Sequence, residues 1–98
     1  MGHRLYHVTD FRIVGHYMLQ LTFDDGAQQT IDFRPILYGE LLGPLRDLRL
    51  FNQVTLDPIA HTVVWSNGAD FDPETLRHWP QYADELATRA RQWSAVSG

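Results

Sequence analysis

The sequence predicts an α+β fold with an antiparallel three-stranded meander, a second β-hairpin, short intervening helices and a C-terminal helix. Residues 17–23 alternate between apolar and polar side chains, which is the period of a half-buried strand. Asp25-Gly26 follows directly, and an Asp-Gly pair between alternating segments is a strong hairpin signal. Near the end of the chain, apolar residues recur at intervals of four, three, four and three, the spacing of one helix face.

Size and composition limit the class of protein. The chain has 98 residues, so we expect one domain over residues 1–98 with a single modest core. It has no cysteine, which excludes disulfide and thiol chemistry. No signal peptide and no apolar run of membrane-spanning length are visible, so we expect a cytoplasmic protein without a membrane partner. The net charge of −4, without a basic cluster, argues against nucleic-acid binding in the absence of a partner.

The first three strands follow from turn signals and alternation. Residues 8–14 are a mixed apolar segment, and Gly15-His16 after them is expected to form a two-residue turn. The inward face of the second strand is predicted to carry Tyr17, Leu19, Leu21 and Phe23. The corresponding face of the third strand is predicted to carry Ala27, Gln29, Ile31 and Phe33. Together the three segments predict an antiparallel meander.

Proline and glycine divide the middle of the chain. Residues 35–39 predict a single helical turn that ends at glycine. Residues 44–51 predict a two-turn helix, in which Asp47 points to solvent. The inward side chains of this helix are expected to be Leu45, Leu48 and Phe51. Residues 54–56 restart an alternating pattern and residues 62–65 are β-branched and aromatic, so we expect a second hairpin there.

The most distinctive segment is a junction at residues 65–73, which reads Trp-Ser-Asn-Gly-Ala-Asp-Phe-Asp-Pro. Asn67-Gly68 supports a tight reversal, because both residue types tolerate positive φ. Asp72-Pro73 predicts a helix N-cap followed by proline at the first helical position. Asp70 lies between them, on a loop that is fixed at both ends.

The tail predicts a C-terminal helix over about residues 80–95, since Pro80 suits the first helical position. The apolar stripe of this helix consists of Trp79, Ala83, Leu86, Ala90 and Trp93. Either the stripe docks on the sheet, or part of it stays exposed and binds another chain. Tyr82 adds a large aromatic side chain, of a type that often anchors interfaces.

Five segments form a series along the chain. They are Leu-Thr-Phe-Asp-Asp-Gly at residues 21–26, Ile-Asp-Phe at 31–33, Gly-Pro-Leu-Arg-Asp at 43–47, Phe51, and the junction at 65–73. In this order they resemble the domain of unknown function 2442 family over about residues 7–77. The resemblance implies a compact α+β domain without agreed catalytic residues, encoded in some cases beside a small partner in a toxin–antitoxin-like pair. Some members carry an added helix-turn-helix module, whereas the tail here predicts one helix.

The polar side chains of the junction have two interpretations. Asn67, Asp70 and Asp72 offer three oxygen ligands to a hard cation. Their spacing fails the calcium-loop template with its distal glutamate, and helix capping and turn hydrogen bonds explain the same residues. The five histidines give no local support for a zinc site, and no nucleophile-elbow serine is present. We therefore assign no metal ligand, no cofactor and no catalytic residue.

The sequence favours a non-enzymatic protein-interaction module, either self-associating or one half of a toxin–antitoxin-like pair. The alternative is a small-ligand or divalent-metal-binding domain, or a minor enzyme, centred on the loop from Asn67 to Asp72. The candidate ligand- or partner-binding residues are Trp65, Asn67, Asp70, Trp79, Tyr82 and Trp93.

Overall fold

The computed structural model describes residues 5–97, with side chains through residue 92, and it has the predicted α+β architecture. The strands are β1 (Val8–Gly15), β2 (Met18–Phe23), β3 (Gln28–Asp32), β4 (Thr55–Asp57) and β5 (Thr62–Val64). The α-helices are α1 (Gly39–Leu42), α2 (Leu48–Phe51), α3 (Pro73–Arg77) and α4 (Trp79–Ser97). Two 3₁₀ helices lie at Arg34–Ile36 and Gly43–Arg46.

The meander is confirmed, with β2 at its centre and both neighbours antiparallel to it. The alternation in β2 places Leu19, Leu21 and Phe23 in the core, as predicted. The first turn differs from the prediction, because Gly15 pairs with Met18 and the turn residues are His16 and Tyr17. Tyr17 adopts a φ of 62° in this turn, whereas the alternating sequence pattern predicts that it belongs to β2.

Tertiary contacts explain why Tyr17 occupies the turn. Its hydroxyl donates a hydrogen bond to the carbonyl of Arg46. Its ring lies 5.5 Å from that of Phe51 in an edge-to-face arrangement, which is a favourable geometry for aromatic pairs. These partners lie about thirty residues further along the chain, so the local pattern could not show them.

The predicted helix over residues 44–51 is wrong in one respect, because the chain breaks it into two pieces at Asp47. Asp47 is extended, with φ −76° and ψ 112°, and its carboxylate accepts the backbone N–H of Arg49 at 3.0 Å. Aspartate at this position stabilises the start of α2 by capping, so a second helix begins where the pattern predicted a continuous one. The turn predicted at residues 35–39 forms one residue earlier, and α1 follows it as an additional helix.

The second hairpin is confirmed, and a backbone hydrogen bond connects it to the meander. β4 and β5 pair antiparallel, with Leu56 opposite Val63, and the side chain of Val63 is fully buried. The backbone N–H of Val8 at the start of β1 donates to the carbonyl of His61, at 2.9 Å. The hairpin therefore lies beside the first strand while remaining a separate two-stranded sheet.

The C-terminal helix is confirmed, with α4 beginning one residue before the predicted range and extending beyond it. It packs mainly against the 3₁₀ turn at Arg34–Ile36, α1 and α3, which differs from the first of the two alternatives, docking on the sheet. The reason lies at the start of the helix. Trp79 is buried against Phe33, which directly follows β3, with ring centroids 5.4 Å apart, and this contact places α4 beside the helical segment.

One hydrophobic core lies between the sheet, the short helices and the start of α4. Its centre is a cluster of aromatic rings formed by Phe33, Phe51, Trp65, Phe71 and Trp79. The residues that alternate with the core positions of β2 are Met18, Gln20 and Thr22, so the outer face of this strand is polar apart from Met18. Within residues 5–97, no helix has both the length and the apolarity that a membrane crossing requires.

Candidate functional site

The Asn67-Gly68 turn uses its polar groups internally. The Asn67 side-chain oxygen accepts the N–H of Ala69 at 3.1 Å, and the N–H of Gly68 donates to the carbonyl of Trp65 at 3.0 Å. Gly68 has a φ of 92°, a conformation that favours glycine. The Asn67 amide nitrogen donates to the carbonyl of Leu41 at 2.8 Å, so this side chain also holds α1 in place.

Asp72 caps α3, as predicted. One carboxylate oxygen accepts the N–H of Glu74 at 3.1 Å and that of Thr75 at 3.3 Å, with Pro73 in the first turn. Asp70 is exposed, and among the described residues its side chain makes no hydrogen bond or ion pair. The described part of the chain contains no group of three or more histidine, cysteine or acidic side chains placed to hold a metal ion.

Trp65 and Trp79 are core residues in this structure. Trp65 is 3% exposed, and its indole N–H donates to the carbonyl of Phe51 at 2.9 Å. Trp79 is 7% exposed and contacts the rings of Phe33 and Phe71. Neither ring is available to a partner without a rearrangement of the core, so both contribute to packing here.

The stripe on α4 is divided between core and surface. Ala83 and Leu86 pack against the core, and Ala90 is 9% exposed. Tyr82 is half-buried. The backbone of α4 continues through Trp93, whose side chain lies outside the described residues.

A shallow apolar cavity lies where α4 meets the helical segment. Its volume is about 220 Å³. We call it the α1–α4 groove, and its main lining residues are Tyr38, Leu42, Phe71, Leu86, Arg89 and Ala90. Leu41, the residue before Leu42, is 49% exposed. Leu41 is thus an exposed apolar side chain on the same short helix as the groove residue Leu42.

Sequence reasoning missed α1, and with it Tyr38, Leu41 and Leu42. A four-residue segment that begins at Gly39 and is followed by Gly43 carries no helical periodicity, so no local signal marked it as an element. The hydrogen bond from Asn67 to Leu41 was equally hidden, because it spans 26 residues. Of the predicted candidates, Asn67 donates to the Leu41 carbonyl of α1, and the rings of Trp65 and Trp79 contact the groove residue Phe71.

Two scattered histidines also come together. The rings of His7 and His61 stack with centroids 4.1 Å apart, and His7 Nδ1 lies 3.9 Å from a carboxylate oxygen of Asp24. The contact joins the start of β1 to the loop of the second hairpin, where His61 has a φ of 57°.

The loop of the second hairpin makes folding sensitive to acid. The N–H groups of Ile59 and Ala60 donate to the Asp57 carboxylate at 2.8 and 3.2 Å, and these bonds hold the pKa of Asp57 below its usual 3.8. A lowered pKa in the folded state contributes stability above the ordinary pKa, and this contribution is lost as the pH falls through the folded value.

We therefore expect the melting temperature of Asp57→Asn to lie below that of the native protein at neutral pH, with a difference that narrows in acid. Thermal unfolding followed by circular dichroism from neutral pH to about pH 2 measures it. Asp10→Asn is the matched control, since the exposed Asp10 side chain accepts no hydrogen bond in the described part of the chain. A difference between the native protein and Asp57→Asn that stays constant with pH would contradict the expectation.

Comparison with known proteins identifies one family. A family model described as Protein of unknown function (DUF2442) matches residues 8–82, which is more than half of the chain. The matched range includes the meander, the second hairpin, the junction and the first residues of α4. No curated protein matches the chain, and no solved structure matches it.

Proposed function

The chain belongs to the DUF2442 family, and we propose that it is a protein-interaction module without catalytic activity. The observation that carries the proposal is the apolar α1–α4 groove, with the exposed Leu41 directly before its lining residue Leu42. Tyrosine and arginine are common anchors in protein interfaces, and Tyr38 and Arg89 both line the groove. The Tyr38 ring lies 5.2 Å from the Arg46 guanidinium, a cation–π contact that favours a fixed ring orientation.

The occupant that we propose is a second copy of this chain. Leu41 directly precedes the groove residue Leu42 in α1, and we propose that two copies related by a twofold axis each place Leu41 in the groove of the other. Charges favour the same arrangement. Glu40 precedes Leu41 and is exposed, while Arg89 lies at the rim of the groove, so insertion of Leu41 brings opposite charges together.

Sedimentation velocity over a concentration series tests this proposal. We expect the native protein to shift toward a dimer as concentration rises. Ala90→Leu fills the groove from its own helix and is expected to keep the protein monomeric, as is Leu41→Glu, which places a charge on the inserted side chain. Thr88→Leu is the matched control, because it adds a similar side chain to an exposed position of α4 that does not line the groove.

Two results would reject self-association through this surface. One is a native protein that stays monomeric at its highest soluble concentration, and the other is an Ala90→Leu variant that dimerises as well as the native protein. Circular dichroism spectra and melting curves of the variants establish that each is folded before sedimentation is interpreted. Alanine and leucine both favour helix, so Ala90→Leu preserves α4.

A partner encoded beside this chain, in a toxin–antitoxin-like pair, is a second form of the same proposal. It rests on the family resemblance, which is an association and not a contact. Co-purification of the two gene products, with Ala90→Leu and Thr88→Leu compared, shows whether such a partner uses the groove.

We further propose that the protein acts in the cytoplasm, with the absence of cysteine as support.

The alternative of a ligand or divalent-cation site at the junction has weaker support. Asn67 and Asp72 use side-chain oxygens for the turn and the cap, which leaves Asp70 as the junction carboxylate without a hydrogen bond among described residues. Calorimetric titration with Mg²⁺ or Ca²⁺ distinguishes the two functions. Saturable heat that disappears in Asp70→Asn would favour the cation site.

A further inference from the structure

A second cavity, on the other side of Tyr38, is lined by two arginine side chains and is therefore positively charged. Its volume is about 310 Å³, and it is lined by Tyr17, Arg34, Leu37 and Arg46. Neither arginine side chain forms an ion pair or a hydrogen bond with any residue that the structure describes. Two guanidinium groups without a counter-ion therefore line one small cavity, in a chain whose net charge is −4.

Aromatic rings hold both arginines in place. The Arg34 guanidinium lies 5.0 Å from the centre of the Tyr17 ring, and that of Arg46 lies 5.2 Å from the centre of the Tyr38 ring. Cation–π contacts orient a guanidinium while leaving its N–H groups unused. The two side chains are thus positioned without spending the donors that would bind an anion.

Tyr17 links the two arginines. Its ring contacts the Arg34 side chain, and its hydroxyl donates to the backbone carbonyl of Arg46. The positive φ of Tyr17 is an uncommon conformation for a bulky residue, and such positions concentrate at binding sites. The turn that departs from the sequence pattern is the one that organises this cavity.

Nearby carboxylates are engaged elsewhere. Asp47, next to Arg46 in the chain, pairs with Arg49 at 3.3 Å. The Asp32 carboxylate accepts the backbone N–H of Arg34 at 3.0 Å and forms no ion pair with its guanidinium. The positive charge of the cavity is therefore uncompensated by these neighbours.

We propose that this cavity binds a phosphoryl group, either as free phosphate or as a small phosphate ester. Guanidinium groups bind phosphate with paired, charge-assisted hydrogen bonds. A phosphate monoester carries a charge of about −1.5 to −2 at neutral pH, which two arginines balance, whereas a single carboxylate would leave one arginine uncompensated.

Nuclear magnetic resonance of the full chain tests the proposal. The Nε–H signals of Arg34 and Arg46 are followed during separate titrations with inorganic phosphate, O-phosphoserine and succinate at constant ionic strength. We expect saturable shifts with the two phosphates. Arg34→Gln and Arg46→Gln are each expected to weaken phosphate binding about tenfold.

Arg12→Gln is the matched control, since Arg12 is exposed on β1, lines neither cavity and has no ion pair among the described residues. Its phosphate affinity is expected to equal that of the native protein. Tighter binding of O-phosphoserine than of phosphate supports the ester, and the reverse supports the free ion. The proposal is overturned if the shifts do not saturate, if succinate binds as tightly as phosphate, or if Arg12→Gln weakens binding as much as the other variants.

Discussion

Replacing Trp65 with alanine is expected to lower the free energy of unfolding by about 3–5 kcal/mol. The side chain is almost fully buried, and its ring lies 5.5 Å from that of Phe51 and 5.9 Å from that of Phe33. Alanine would remove these contacts and leave a cavity at the centre of the aromatic cluster. It would also leave the Phe51 carbonyl without the indole N–H that it accepts.

Urea unfolding followed by far-ultraviolet circular dichroism measures this effect without relying on tryptophan fluorescence. A domain of this size has a total stability of about 5–15 kcal/mol, so Trp65→Ala is expected to be near the limit of folding. Trp65→Phe is the control, since it keeps an aromatic ring and loses the hydrogen bond. A loss below about 1 kcal/mol for Trp65→Ala would show that Trp65 does not hold the cluster together.

The parts of the fold that the sequence predicted are those governed by local rules. β2 follows from alternation, because each second side chain faces the core. The start of α3 follows from Asp72 and Pro73, because capping involves residues two and three positions away. Both depend on neighbours in the chain, and both were correct.

The errors arose where distant contacts decide the local structure. Tyr17 continues the pattern of β2, yet contacts to Phe51 and Arg46 hold it in the turn. The direction of α4 depends on the packing of Trp79 against Phe33, which no pattern within the helix specifies. Propensity and periodicity describe short segments, and tertiary contacts override them.

The candidate site shows the same division between features that local sequence predicts and features that depend on the folded chain. Trp65 and Trp79 were predicted as binding candidates, yet large aromatic side chains of this kind also pack well in a core, where both lie. The surface residue Leu41 and the cavity arginine Arg34 carry no motif, because exposure and convergence are properties of the folded chain. Asn67 was identified from the sequence, although its contact with α1 required the structure.

We expect the second large effect on the free energy of unfolding from the loss of the ion pair between Arg77 and Asp25. Both the Nε and Nη2 atoms of Arg77 lie 3.1 Å from one Asp25 oxygen, which joins α3 to the turn between β2 and β3. The side chains are 28% and 21% exposed, so water screens the pair only in part. The guanidinium also lies 5.4 Å from the Tyr6 ring centre, which adds a cation–π contact.

Arg77→Ala is therefore expected to lower the free energy of unfolding by about 2 kcal/mol. Arg89→Ala is the matched control, because Arg89 pairs with Glu85 at 3.4 Å while the two side chains are 71% and 57% exposed. An exposed pair of this kind contributes about 0.5 kcal/mol or less. The contrast between the two variants compares a partly buried arginine that has both an ion pair and a cation–π contact with an arginine in an exposed ion pair.

A double-mutant cycle separates the Arg77–Asp25 interaction from the other roles of each residue. Asp25 also accepts the N–H of Ala27 at 3.0 Å, so Asp25→Ala alone weakens the turn as well as the pair. The coupling energy from urea unfolding of the native protein, both single variants and the double variant removes that contribution. A coupling near zero, or equal losses for Arg77→Ala and Arg89→Ala, would mean that the ion pair does not hold α3 to the sheet, and that apolar packing and the hydrogen bond from the Gln29 amide to the Arg77 carbonyl do so.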